Sequence, residues 1–190
     1  MVAYDKEKLS SEECNIKFGD IIGGDFLCSY GRFTTMKGFP KKVEGRFDMR
    51  YTKIKNFDDV PELTEINDYA FAGCVYLQEV KIPDSVSKIG ECAFERCEGM
   101  ADESGFVIVR DSLQGYYGDS SVVVVPDGVA TISNYAFAFN FNVSEIYIPD
   151  SVSYIGEDAF FGCDDITVHA SANSYAAEYA EENYMGFVCE

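Results

Sequence analysis

Apolar residues recur along this chain in a fixed register. Four Ala-Phe pairs mark it, at 70–71, 93–94, 136–137 and 159–160, and an isoleucine stands four residues before each alanine. The first two pairs are 23 residues apart, as are the last two, whereas the middle step is 43 residues. Short alternating or apolar runs at 77–82, 122–126 and 143–148 predict strands that end at or near a proline, which cannot donate to a ladder.

A second register precedes the first. Residues 24–44 and 45–62 align with each other at a period of 21, from Gly24 to Gly45 and from Pro40 to Pro61. A repeat of this length cannot bury its own apolar face, so stacked neighbours must bury a continuous core. The pattern predicts a solenoid with a buried phenylalanine spine formed by Phe71, Phe94, Phe137 and Phe160.

Two columns of small residues recur in the same register as the spine. Four residues after each alanine stand Cys74, Cys97, Asn140 and Cys163. Thiol and amide groups can both donate to the backbone of a neighbouring turn, so this column predicts bonding between repeats by buried free thiols, with disulfides as the alternative. Gly90 and Gly156, with Asn67 in the same column, predict a left-handed backbone position after a short strand.

One 16-residue segment occurs twice with small changes. "IPDSVSKIGECAFERC" (82–97) and "IPDSVSYIGEDAFFGC" (148–163) share 12 of 16 positions. The underlying pattern, L-x-x-V-x-I-P-D-S-V-x-x-I-G-x-x-A-F-x-x-C, resembles the repeats of bacterial BspA-like leucine-rich repeat proteins over residues 63–170. The preceding "GDFLCSYGRFTTMKGFPKKV" resembles a second bacterial leucine-rich variant, covering residues 24–62. The segment 105–129 resembles a hairpin that interrupts such arrays, and 167–190 resembles their closing cap.

The resemblance implies an α/β fold: a strand-rich, right-handed leucine-rich-repeat solenoid with short helical turns, a single curved parallel sheet on the concave side and a C-terminal cap helix. We expect one elongated domain over 1–190. It would comprise an N-terminal cap (1–23), two repeats (24–62), four repeats (63–170) with an insertion at 101–121, and a C-terminal cap (171–190). Helices are predicted at 4–14 and 171–183, the latter capped by Asn173 or Ser174.

Charge narrows the range of partners. The formal net charge is −18, which repels nucleic-acid phosphates and anionic lipid surfaces. No apolar run approaches the ~20 residues of a membrane span, and the N-terminus shows no signal peptide. As written, the chain is expected in the cytoplasm. The family resemblance implies a bacterial cell surface or secretion if Met1 is not the native start, so localisation stays open.

The sequence predicts no catalytic, metal or cofactor site. Seven cysteines lack any C-x-x-C spacing and His169 is the single histidine, whereas zinc sites usually take four clustered Cys or His ligands. We interpret His169 as an exposed strand residue. A non-enzymatic protein-interaction module is therefore predicted; the alternatives are a structural spacer in a larger assembly, or an enzyme or metal-dependent module around His169.

A partner surface is predicted from the strands. Outward positions of a stacked sheet need not be apolar for folding, so they are free to serve binding. The resemblance implies protein binding, including host matrix and plasma proteins in some members. The predicted strip, which would hold a protein or peptide with Tyr147 at its centre, comprises Glu79, Lys81, Val124, Glu145, Tyr147 and His169. Tyr116 and Tyr117 in the insertion form the rival surface.

Overall fold

The computed structural model describes residues 18–163 and 165–190. The described residues form a strand-rich solenoid of about eight turns, here called coils, with one α-helix near the C-terminus, as the sequence predicts. The chain divides into two compact units, Met1–Met100 and Ala101–Glu190, each described separately below. The single domain over 1–190 stays a prediction, and the predicted helix at 4–14 lies outside the described residues.

The first unit is built from two-residue strands joined by turns. Strands β1 and β3, β2 and β4, and β5 and β6 pair in parallel, and a short 3₁₀ helix closes the unit at Glu98–Met100. The strands are β1 Ile21–Ile22, β2 Phe26–Leu27, β3 Lys42–Val43, β4 Phe47–Asp48, β5 Glu65–Ile66 and β6 Lys88–Ile89.

The strand predicted at 77–82 does not form; Glu79 makes only an isolated parallel bridge to Asn56. The preceding coil turns at Phe57–Val60, where the Val60 N–H donates to the Phe57 carbonyl at 3.3 Å. A turning neighbour offers no extended edge for a longer ladder to pair with.

The second unit contains a hairpin, two parallel columns of strands and the cap helix. In the hairpin, β7 pairs with β8 in antiparallel fashion around a register shift, which confirms the predicted hairpin in the insertion. Strands β8, β10 and β12 form one parallel column; β9, β11, β13 and β14 form the other. The elements are β7 Phe106–Val109, β8 Ser112–Tyr116, β9 Val122–Val124, β10 Thr131–Ile132, β11 Glu145–Tyr147, β12 Tyr154–Ile155, β13 Thr167–Ala170, helix α1 Tyr175–Glu182 and β14 Gly186–Cys189.

The pairing in the described residues therefore differs from the single curved sheet that was expected. It is divided among five short sheets, two of them in the second unit. Most coils there contain two extended stretches separated by turns, and each stretch pairs only with its counterpart in the next coil. The result is two walls of strands enclosing one core.

Aromatic rings stack through the core of each unit. In the first, Phe71 and Phe94 are parallel at 5.3 Å between centroids, continuing a column that begins at Phe26. In the second, Phe137 lies 5.1 Å from Phe160 and 5.4 Å from Tyr116. All four predicted spine phenylalanines are buried. Tyr116, the last residue of β8, occupies a place in the spine, so the hairpin feeds the core.

The column of small polar residues links neighbouring coils. The thiols of Cys74 and Cys97 each donate to a carbonyl of the preceding coil at 3.2 Å, that of Cys163 does so at 2.9 Å, and the Asn140 amide donates to the Tyr116 carbonyl at 2.9 Å. Every described cysteine is a free thiol. Burial raises the pKa of Cys74, and that of Cys97 well above its usual range. This confirms the bonding role predicted for the column.

Cys163 is half-buried, although the sequence predicted full burial for the whole column. It belongs to the last Ala-Phe coil, so the cap, rather than another coil of the same kind, follows it. Helix α1 covers Phe160 through Tyr179, whose ring lies 6.0 Å away, and the terminal position of the coil leaves the thiol partly open.

The predicted role of Gly90 and Gly156 is wrong, because neither has positive φ. A Cβ on Gly90 would collide with the backbone of Asn67 and Asp68 in the preceding coil. Close approach of coils therefore selects glycine here, and the same contact lets the Glu91 N–H donate to Asp68 Oδ1 at 2.9 Å. Left-handed residues stand instead just before the alanine, as at Tyr69, Cys92 and Tyr135, and three residues after it, as at Gly73, Arg96, Phe139 and Gly162.

The cap helix predicted at 171–183 forms over Tyr175–Glu182. Helix α1 starts after Ser174, whose side chain accepts from the Ala177 N–H at 3.2 Å. An oxygen at this position satisfies a donor that the first helical turn leaves unpaired. The helix buries Ala176, Tyr179 and Ala180 and exposes its acidic residues, as a terminal unit must to cover the last apolar layer.

Candidate functional site

Four of the six predicted strip residues come together in the second unit. Parallel register places Tyr147 of β11 opposite Val124 of β9 and opposite His169 of β13, and Glu145 lies two residues before Tyr147. Glu79 and Lys81 belong to the first unit and lie outside its strands. They are exposed and form an ion pair with each other at 3.3 Å. The predicted strip thus has two parts, of which the second unit holds the larger.

Alternation along the strands decides which side chains face outward. The buried positions of β9, β11 and β13 are Val123, Ile146 and Val168. Successive side chains of a strand point to opposite faces, so the residues on either side of these three face outward. β14 adds Val188 beside His169. We call Val124, Tyr147, His169 and Val188 the outward row. Val124 is 64% exposed and Val188 42% exposed, so the row presents apolar surface with no covering element in the described residues.

His169 is the most constrained member of the row. Its ring stacks on that of Tyr147, with centroids 4.2 Å apart and planes 17° from parallel. Its Nε2 lies 3.3 Å from Glu145 Oε2, and its Nδ1 lies 3.0 Å from Glu190 Oε1. The side chain is only 11% exposed, so the expectation of an exposed strand histidine is corrected: the strand places it as predicted, but stacking and two carboxylates enclose it.

This geometry does not suit His169 to general-base catalysis. A base must have a ring nitrogen within hydrogen-bond reach of a nucleophile, and both nitrogens already face carboxylates. Neutral imidazole has one N–H and can donate to one of these carboxylates, whereas imidazolium can donate to both. Across the described residues, no group of three or more His, Cys, Asp or Glu side chains is arranged to hold a metal ion.

A shallow groove of about 670 Å³ runs past three of the four residues of the outward row. Its lining includes Val124, Tyr147 and His169, together with the carboxylates of Asp127, Asp150 and Glu190. Asp127 and Asp150 each follow a proline in the turn after a strand, and Glu190 follows β14. The groove therefore combines an apolar and aromatic row with acidic groups supplied by the turns.

Glu190 and Val188 were missed by sequence reasoning, because residues 184–190 were assigned to the cap without a strand. The alternation in "GFVC" is only four residues long and carries no proline or turn signal. β14 forms because β13 offers a free parallel edge, which is a tertiary condition rather than a local one.

The rival surface in the insertion is smaller than predicted. Tyr116 is buried at 3% exposure within the spine, and Tyr117 is 37% exposed. Tyr117 lines a groove of about 740 Å³ between the hairpin and β9, together with Asp102, Glu103 and Asp119. A third exposed feature is an aromatic cluster on the turns of the last coils, formed by Phe139, Phe141 and Phe161.

The stacked coils, the buried aromatic spine and the outward strand row define a leucine-rich-repeat solenoid. The family model of the BspA type leucine rich repeat region matches residues 45–103 and 114–179, in six copies. These matches cover more than half of the chain, which belongs to this family. The break between them falls across the hairpin formed by β7 and β8.

One solved structure is similar to the chain. It is a leucine rich cell surface protein from Faecalibacterium prausnitzii, with 21% sequence identity and a TM-score of 0.38. The match covers 72% of this chain and 53% of the other, so the chain spans about half the length of that protein. No curated protein matches the chain. Within the described residues, no helix has the length and apolar character needed to cross a membrane.

Proposed function

We propose that this protein is a non-enzymatic protein-interaction module whose outward row, with Glu145 beside it, binds a protein or peptide. The observation that carries the proposal is the row itself: apolar and aromatic side chains stand side by side on four strands outside the core, and the valines at its two ends are open to solvent. A contiguous exposed apolar surface is a feature of interaction sites. Glu79 and Lys81, in the first unit, are proposed as a separate charged contact.

Tyr147 is the expected centre of the contact. A tyrosine offers a large, rigid surface with a polar tip, and such residues dominate binding energies at interfaces. Its stacking on His169 holds the ring in place before any ligand arrives, which reduces the entropy lost on binding. The carboxylates of Glu145 and Glu190 hold His169 in turn, so the centre of the row is already ordered.

The alternatives have less support. An enzyme or metal-dependent module around His169 would need a free ring nitrogen or a clustered ligand set, and the arrangement of the described residues favours neither. A structural spacer would have no use for an open apolar row. Placement at a bacterial cell surface belongs to the same proposal, because the family resemblance implies it; protease accessibility on intact cells would test it.

The test uses the intact protein as bait. Once a partner has been purified, its affinity for Tyr147→Ala and Tyr117→Ala is compared by calorimetry, after circular dichroism has shown that both variants are folded. A loss above ~1.4 kcal/mol, or tenfold in affinity, for Tyr147→Ala alone supports the row. A loss for Tyr117→Ala alone moves the site to the hairpin and rejects the proposal.

A further inference from the structure

Negative charge is distributed very unevenly along the chain. Residues 101–190 contain 15 acidic residues and a single Lys or Arg, Arg110, which gives a net charge of −14 with His169 neutral. Residues 1–100 contain 18 acidic and 14 basic residues, a net charge of −4. Arg110 lies at the tip of the hairpin, between β7 and β8. The unit that presents the outward row therefore carries most of the molecule's negative charge.

The acidic groups border the row on both sides. Glu145 precedes the row along its strand, whereas Asp127, Asp150 and Glu190 follow it at the ends of β9, β11 and β14. We call these four residues the acidic margins. Glu145 and Glu190 contact His169, but Asp127 and Asp150 are exposed and form no ion pair within the described residues. No basic side chain of the described residues neutralises their charge.

From this arrangement we infer that the row binds a short, extended, Lys- or Arg-rich segment of a partner protein. This deepens the function proposed above and rests on it. Lysine and arginine side chains have an apolar methylene stem and a charged end group. Their stems can lie against Val124, Tyr147 and Val188 while their heads reach the acidic margins.

Dimensions and range agree with such a ligand. Four strands at about 4.8 Å spacing make the row about 14 Å long, which corresponds to about four or five residues of extended peptide. At physiological ionic strength, charges are screened beyond about 8 Å. Glu145 and Glu190 lie within 3.3 Å of His169, and Asp127 and Asp150 line the same groove as Val124 and Tyr147. Distant acidic residues of the unit contribute chiefly to the rate of encounter.

The experiment uses defined peptides with the full chain. An eight-residue fluorescent peptide of alternating lysine and valine is titrated in 150 mM salt and followed by fluorescence anisotropy. Two comparison peptides replace lysine by glutamate, or valine by serine. We expect the lysine–valine peptide to bind at least tenfold more tightly than the glutamate–valine peptide. The lysine–serine peptide should bind more weakly than lysine–valine, because its lysine stems are then the only apolar groups that can contact the row.

Matched variants separate local recognition from general attraction. The margin variant carries Asp127→Asn, Asp150→Asn and Glu190→Gln; the control variant carries Glu178→Gln, Glu181→Gln and Glu182→Gln on the exposed face of α1. Both lose three negative charges, and circular dichroism confirms that each is folded. The margin variant should bind the lysine–valine peptide at least tenfold more weakly than the parent, and the control less than threefold. Equal losses in the two variants would overturn the inference.

This outcome can be distinguished from failure of the proposed function. If Tyr147→Ala weakens binding of a purified natural partner while the lysine–valine and glutamate–valine peptides bind alike, the row is a binding site and the basic-segment inference is wrong. If the lysine–valine peptide binds and depends on the margin carboxylates while Tyr147→Ala leaves the natural partner's affinity unchanged, the proposed site for that partner is wrong.

Discussion

Replacing Phe137 by alanine should destabilise the second unit strongly. Its side chain is fully buried between Tyr116 and Phe160, with ring centroids 5.4 and 5.1 Å away. Loss of about 100 Å² of buried apolar surface at 25–30 cal/mol per Å² costs about 3 kcal/mol. The cavity left behind and the two lost ring contacts add to this, so the total lies near the upper part of the ~3–5 kcal/mol range for buried Phe→Ala changes.

Urea unfolding followed by circular dichroism and tyrosine fluorescence measures the effect. With a slope of about 2 kcal/mol per M, a loss of 4 kcal/mol moves the midpoint of the affected transition down by about 2 M. The control is Phe141→Ala in the same repeat, because Phe141 is 75% exposed; it should change the free energy of unfolding by less than ~0.5 kcal/mol. If Phe137→Ala unfolds at the parent's midpoint, the spine does not stabilise the unit as argued.

Three further predictions concern buried contacts in the first unit. Gly90→Ala should lower the free energy of unfolding by ~1–3 kcal/mol, because its Cβ would collide with the preceding coil. Gly24→Ala is the control and should be nearly neutral, because a Cβ there meets nothing within 4 Å; equal urea midpoints for the two variants would contradict the close-approach explanation. Cys97 should react with a thiol reagent far more slowly in the native protein than in denaturant, and equal rates would refute its burial. Burial raises the pKa of Cys92 from 9.0 to about 11, so its contribution to stability is fully present below pH 9 and is lost as pH rises towards 11; unfolding midpoints across that range should fall less steeply for Cys92→Ser than for the parent.

The sequence predicts the parts of this fold that repeat. The Phe spine and the Cys/Asn column recur at fixed spacing, so four copies of each supported one interpretation, and the structure confirms both. The N-cap at Ser174 was also predictable, because it depends on a local hydrogen bond. The spine and the column share a cause: each position is decided by the residue and its equivalent in the neighbouring coil.

The remaining features depend on contacts that no single repeat encodes. Gly90 looked like a left-handed residue because glycine serves both conformational freedom and close approach, and only the position of Asp68 distinguishes the two. Tyr116 was predicted to lie at the surface. It is in the spine because β8 pairs with β10, which places Tyr116 beside Phe137. The sequence predicted the centre of the outward row, Tyr147 and His169. It did not predict Val188, because Val188 belongs to β14, a strand that forms only by pairing with β13.

The bonds of the Cys/Asn column have a mechanical consequence. Each one joins a coil to the coil before it, across 24 to 26 residues, and repeat arrays are stabilised chiefly by such nearest-neighbour contacts. A force that unwinds the array from one end therefore breaks one inter-coil interface at a time. Release of a 23-residue coil adds about 75 Å of extended chain. Stretching a single molecule should give a series of steps of this length, each reporting the strength of one interface.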